Sequence, residues 1–190
     1  MAKDVVSRRA GAPPGANEPR RRVSVAGVSG GVGTTTLAAA IDGIDRGVFV
    51  GRPVDVLVCR GTAESLQRAA QAAQLQTDGT GRRPLLAVTA TEPGGLSRAV
   101  SARLQVTSAY AARVVTVPLV RHWRDSTAYL QDARAVLSVP RTELPRALRD
   151  YARAALDVQQ HFGSAAPATT LYRARGPWGA PARTASERAR

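Results

Sequence analysis

The chain has 190 residues, 44% of them apolar and 4% aromatic, and a formal net charge of +13. That length suits one domain with tails, its core built from Val, Leu and Ala. One cysteine, Cys59, excludes an internal disulfide and suits a reducing cytoplasm, and no apolar stretch approaches the roughly 20 residues of a membrane span.

Residues 1–20 combine Gly11, Pro13, Pro14, Gly15 and Pro19 with almost no apolar periodicity, and read as a disordered basic arm without a signal-peptide core. Val23–Val28 is an apolar run that predicts a buried strand. It leads into Ser29-Gly30-Gly31-Val32-Gly33-Thr34-Thr35-Thr36. Gly30, Gly31 and Gly33 lack Cβ atoms, so the main chain can curl tightly with its N–H groups inward. A helix is expected from about Thr34 to Ile44, its first amides and dipole favouring an anion. This is the layout of a phosphate-binding loop; a ligand-free turn between strand and helix is the plain alternative.

Val54–Cys59, Leu85–Ala90 and Val114–Val117 predict three further strands with little polar alternation. Thr62 is expected to cap a helix through about Leu75, with Leu66, Ala69, Ala70 and Ala73 on one side. Leu96, Val100 and Leu104 mark another helix. Thr142 is expected to cap the last, in which Leu144, Leu148, Tyr151, Ala155, Val158 and Phe162 keep a helical stripe and Pro145 stands in the first turn. Residues 163–190 read as a second disordered basic tail, with Tyr172 and Trp178 as a candidate docking motif. The alternation of strands and helices over residues 21–162 predicts a small doubly wound α/β fold. Its mainly parallel sheet has four or five strands, in the manner of P-loop NTPases, with right-handed crossovers.

The loop resembles the deviant Walker A motif of the ParA/MinD family of ATPases, which runs K-G-G-x-G-K-[ST]-T. Gly30, Gly31, Val32, Gly33, Thr35 and Thr36 match it. Ser29 stands at the first lysine, which in that family reaches across a nucleotide-sandwiched dimer. Thr34 stands at the second, which holds the β/γ-phosphates. The order of later segments is similar too: Asp55 before an apolar strand, Thr62 and Ser65 opening a helix, and Val115-Thr116-Val117-Pro118 near the family's nucleotide base. The resemblance implies ATP or ADP with Mg²⁺, bound by Ser29 to Thr36 with Thr35 on the metal, and a homodimer. It is closest to shortened, degenerate members of actinobacterial type, some encoded near plasmids or other mobile elements.

Two features depart from the family. Both loop lysines are missing, and losing one hydrogen bond to a charged group, roughly 1.5–3 kcal/mol, weakens affinity about ten- to hundred-fold. The region between the first helix and Pro53 is also short and lacks an apolar strand ending in aspartate. Asp42 and Asp45 are expected at the far end of the first helix, roughly 12–16 Å from the loop at about 1.5 Å per residue, too far to position a water. Catalytic residues are therefore assigned nowhere, and efficient hydrolysis is not expected. Arg60 and Arg121, near strand C-termini, are the candidates to supply the missing charge.

The other chemistry is sparse. His122, His161 and Cys59 have no metal-ligand spacing. Cys59 reads as a buried inert thiol, and Ser29 lacks the G-x-S-x-G elbow. His122-Trp123-Arg124 reads as a loop with Trp123 packed on the sheet edge, or as the rim of a pocket. Three functions stay open. The first is a nucleotide-binding protein with a regulatory or positioning role. The second is a nucleotide-independent pseudo-ATPase adaptor with a protein partner. The third is a DNA-associated accessory protein acting through its basic arms, with a net charge of +4 over residues 1–22 and +4 over residues 163–190.

Overall fold

Four apolar runs and one polar run form a five-stranded, all-parallel sheet. The computed structural model describes residues 21–163, so the basic arms, Tyr172 and Trp178 lie outside it. The strands are β1 (Ser24–Gly27), β2 (Ile44–Val48), β3 (Val56–Arg60), β4 (Leu85–Thr89) and β5 (Arg113–Val117), in the order β2-β1-β3-β4-β5. Strand alternation sends Val25, Val56, Val58, Leu85, Ala87, Val115 and Val117 to one face. Ala26, Leu57, Cys59, Leu86 and Val88 go to the other. Because helices cover both faces, each central strand is apolar on both faces between its polar end residues (Ser24, Arg60 and Thr89), which is why its sequence shows no alternation.

The first face packs against α1 (Thr34–Ala40), α4 (Tyr129–Ala135) and α5 (Arg146–His161); the second packs against α2 (Ala63–Thr80) and α3 (Arg98–Ser108). From β1 the chain winds to β2 over the first face, and from β3 to β4 and β5 it winds the other way over the second. Reversing both direction and face keeps the same crossover hand. The doubly wound α/β fold expected from the sequence is therefore present. Among the described residues no helix is long and apolar enough to cross a membrane.

Local signals explain the helix ends. Thr62 caps α2 by accepting from Ser65 N at 3.3 Å, and Ser97 caps α3 by accepting from Val100 N at 3.3 Å. The second helix runs beyond Leu75 to Thr80, where Gly81 at φ +69° stops it. The last begins at Arg146 after Pro145, not at Thr142, whose exposed side chain caps nothing. A 3-10 turn (Arg121–Arg124) and α4, neither anticipated, fill the stretch after β5.

The largest difference lies after the loop. The first helix stops at Ala40 rather than Ile44, because Asp42 adopts φ +52° and Gly43 N donates to Ala38 O at 2.8 Å. This is a Schellman stop with aspartate in the left-handed position. The freed residues form β2, paired with β1 through Ser24 and Ile44 and through Val25 and Asp45. Its exposed sequence, Ile-Asp-Arg-Gly-Val, belongs to an edge strand. Gly47 at φ +68° and the charges of Asp45 and Arg46 blunt that edge.

No helix joins β2 to β3. That corner of the second face is left as a cleft of about 460 Å³ floored by Ala26, Phe49 and Val54. Below it, Asp55 latches the strand bases. Its carboxylate accepts from Ser24 N at 2.8 Å, from Ser24 Oγ at 2.7 Å and from Arg21. Burial alone would raise this carboxyl, but the bonds from Ser24 and Arg21 outweigh it and hold Asp55 below its ordinary range.

Candidate functional site

Winding reverses between β1 and β3, so the crevice outside their C-terminal ends is where a ligand in an open α/β sheet sits. The segment after β1 enters that crevice with Val28 N donating to Val58 O at 2.9 Å. Gly31 at φ +69° and Gly33 at φ +96° then take conformations that side chains resist. Gly30 has no such need: its φ is ordinary and a Cβ there would meet nothing within 4 Å. The sterically required glycine that the motif did not reveal is Gly27. A Cβ on it would lie 2.3 Å from Thr34 Oγ1 and 2.7 Å from Val32 Cγ2.

Side chains from the neighbouring strand ends clasp the loop by its carbonyls. Arg60 donates to Gly31 O from Nη2 at 2.9 Å and from Nε at 3.3 Å. Thr89 Oγ1 donates to Val32 O at 3.0 Å, and its distance to Cys59 O is also 3.0 Å. In a trans peptide the N–H points opposite to the C=O. The N–H groups of Val32 and Gly33 are therefore turned away from Arg60 and Thr89. From Ser29 to Thr36 no backbone N–H donates to any described residue. Those of Thr34 to Thr36 are the donors any helix leaves open in its first turn, and the loop's own N–H groups before them extend that run, which is the most distinctive feature of the site.

An open cleft of about 330 Å³ lies over this stretch, lined by Ser29, Gly30, Gly31, Gly33 and Thr34 to Thr36, by Asp45, Gly47 and Val48, and by Tyr129. Val32 is not part of its lining; the side chain is buried in the core beneath the loop. Thr34, at the lysine position, is buried with its Oγ1 filling the space left by Gly27. Thr35 is exposed and Thr36 half-buried. With seven residues α1 is barely two turns, so the donors of the loop, rather than a long helix dipole, are what an anion would meet.

Asp45 is not at a helix end remote from the loop. The early stop of α1 and the return of β2 carry it into the same cleft, where Oδ1 accepts from Gly47 N at 2.8 Å. Asp42 stays outside, bonded to Arg22 at 2.8 Å. Neither arginine candidate lines the cleft: Arg60 holds the loop from its carbonyl side, and Arg121 lies in the 3-10 turn. The cleft therefore has a carboxylate, two accessible threonines and a phenol, with no cationic side chain in its lining. Asp45 and Tyr129 were missed because only the tertiary path brings them to the loop. The signal that could have found Asp45 is the Asp-Gly pair at 42–43, a helix stop.

The remaining chemistry lies elsewhere. Burial pushes the Cys59 thiol up to about 12, so it is inert. Trp123 stacks edge-on against buried Tyr151 at 4.7 Å and packs on the core, so the His122-Trp123-Arg124 segment is structural. Burial raises the Asp132 carboxyl of α4, with Trp123 and His122 drawing it partway back. Trp123 Nε1 and Asp132 Oδ1 nevertheless complete no hydrogen bond. Among the described residues no three His, Cys, Asp or Glu side chains cluster to hold a metal. Compared with family models, curated proteins and solved structures, the chain matches none.

Proposed function

We propose that the loop from Ser29 to Thr36 binds the phosphate groups of ATP or ADP with Mg²⁺, in a degenerate ParA/MinD-like protein with a regulatory or positioning role. The observation that carries this reading is the run of main-chain donors from Ser29 to Thr36 without a described acceptor, anchored by Arg60 and Thr89 through the Gly31 and Val32 carbonyls beside the reversal of winding. Thr35, exposed in the cleft, is the residue that would hold Mg²⁺. Because the cleft lining offers no cation and adds Asp45, the metal has to supply the positive charge. Binding is then Mg²⁺-dependent and weak, and charge stabilisation for efficient hydrolysis is missing.

The test is thermal unfolding with ATP, ADP, GTP or GDP at millimolar concentration, with and without Mg²⁺. A ligand present at about 100 times its Kd stabilises by about 2.7 kcal/mol, which for a chain of this size raises Tm by roughly 5–10 °C. The stabilisation is expected only with Mg²⁺ and is expected to vanish in Thr35→Ala. No shift with any nucleotide would overturn the reading. The absence of a cation from the cleft favours the second reading, a nucleotide-independent adaptor with a protein partner, and that reading would then stand.

A further inference from the structure

The outer face of α5 concentrates cations where a helix least favours them. Arg146, Arg149 and Arg153 project from its first half. At 3.6 residues per turn they fall within an arc of about 60°, opposite the stripe that buries Leu148, Ala152 and Ala155. Arg141 joins them across a shallow cleft of about 410 Å³. All four are exposed. The first turn of α5 has no acidic residue, although the positive end of the helix dipole favours one. One carboxylate, Asp150, lines the cleft, 3.6 Å from Arg153. Among the described residues Arg141, Arg146 and Arg149 have no ion-pair partner. This arrangement is electrostatically unfavourable for the isolated protein and complementary to a polyanion.

We infer that this arginine face of α5 docks on the phosphate backbone of a nucleic acid. Cations spaced by about 4.5 and 6 Å along one line match a chain of closely spaced phosphates, and guanidinium forks bind phosphate oxygens in pairs. The face has no apolar or aromatic anchor of the kind that centres a protein–protein interface. It also has no apolar wedge for a bilayer. The exposed large apolar side chains of the described residues, among them Val50, Leu75 and Val106, sit on other elements. The surface lies apart from the nucleotide cleft, so this inference does not depend on nucleotide binding.

The test is fluorescence anisotropy of the full chain with a labelled DNA duplex of about 20 base pairs, over roughly 50–300 mM KCl. Arg146→Ala/Arg149→Ala/Arg153→Ala is compared with Arg82→Ala/Arg83→Ala/Arg98→Ala, which removes three exposed arginines elsewhere and leaves the same net charge. The α5 triple is expected to weaken binding at least tenfold and to reduce the slope of log K against log salt by about 3. The control is expected to change affinity less than threefold. Equal losses in the two triples, or no loss in the α5 triple, would overturn the inference in favour of bulk charge or the arms. So would an absence of duplex binding at about 50 mM salt, or α5-dependent capture by phosphatidylserine vesicles without duplex binding. Both triples alter exposed side chains, and matching melting curves establish that each is folded.

Discussion

Gly27, which ends β1, and Gly30, in the loop after it, respond to the same substitution with opposite sign. In Gly27→Ala the new methyl falls 2.3 Å from Thr34 Oγ1, 2.7 Å from Val32 Cγ2 and 3.0 Å from Ser29 O. Thr34 and Val32 are both buried, so neither can swing into solvent, and overpacking of this kind costs about 1–3 kcal/mol. In Gly30→Ala the methyl meets nothing within 4 Å and the backbone conformation is ordinary. That change restricts the unfolded chain and stabilises by about 0.4–1 kcal/mol. The variants are therefore separated by roughly 1.4–4 kcal/mol. With a urea m-value of about 2 kcal/mol per molar, this amounts to a midpoint difference of about 0.7–2 M. Urea titration followed by far-UV circular dichroism measures it. Adding Thr34→Ala to Gly27→Ala removes the closest contact but not Val32, and recovers part of the loss. A Gly27→Ala protein as stable as the parent, or a Gly30→Ala protein equally damaged, would refute this account of how the loop closes.

Asp55→Ala removes the acceptor of Ser24 and Arg21 and is expected to cost about 1.5–3 kcal/mol at neutral pH. Folding lowers the Asp55 pKa from its ordinary value of 3.8. Its contribution is therefore present above that value and lost as pH falls through and below it, so acid melts of the variant show a shallower decline than those of the parent. Asp132 has the opposite sign. Its raised carboxyl stabilises the fold most in acid and becomes a burden as pH rises past the ordinary carboxylate range. Asp132→Asn therefore gains at neutral pH and gains nothing in acid. The gain is measurable as a Tm difference that closes as pH falls.

The three inner strands were legible because burial on two faces demands an uninterrupted apolar run, as in Val56 to Cys59, and β5, though an edge strand, keeps Val114, Val115 and Val117. The fifth was not, since β2 is exposed at Asp45, Arg46, Gly47 and Val48 and has no apolar signature. Its existence depends on Asp42 accepting a left-handed conformation, a single-residue event that stops the helix just before Gly43. The same event decided the candidate site. Gly31, Gly33 and Thr35 could be picked out by pattern, whereas Asp45 and Tyr129 enter the cleft from elements whose positions pattern alone does not give. Arg60 was noticed for its charge, yet its place is set by the Gly31 carbonyl. A Cβ on Gly31 would approach Arg60 Nη2 to 3.0 Å, so that glycine also leaves room for the guanidinium. Thr89 reads in sequence as an ordinary strand end, and its bond to Val32 O emerges only once three strands are side by side.

The missing helix between β2 and β3 gives the molecule a weak margin. β2 is hydrogen-bonded in the sheet to β1 alone, rests on α1 from one side and has no helical cover on the other. Ribbons supported so thinly open locally long before a protein unfolds as a whole. One wall of the crevice is thus its loosest ribbon, and whatever lodges against Asp45 also stitches that hem to the cloth.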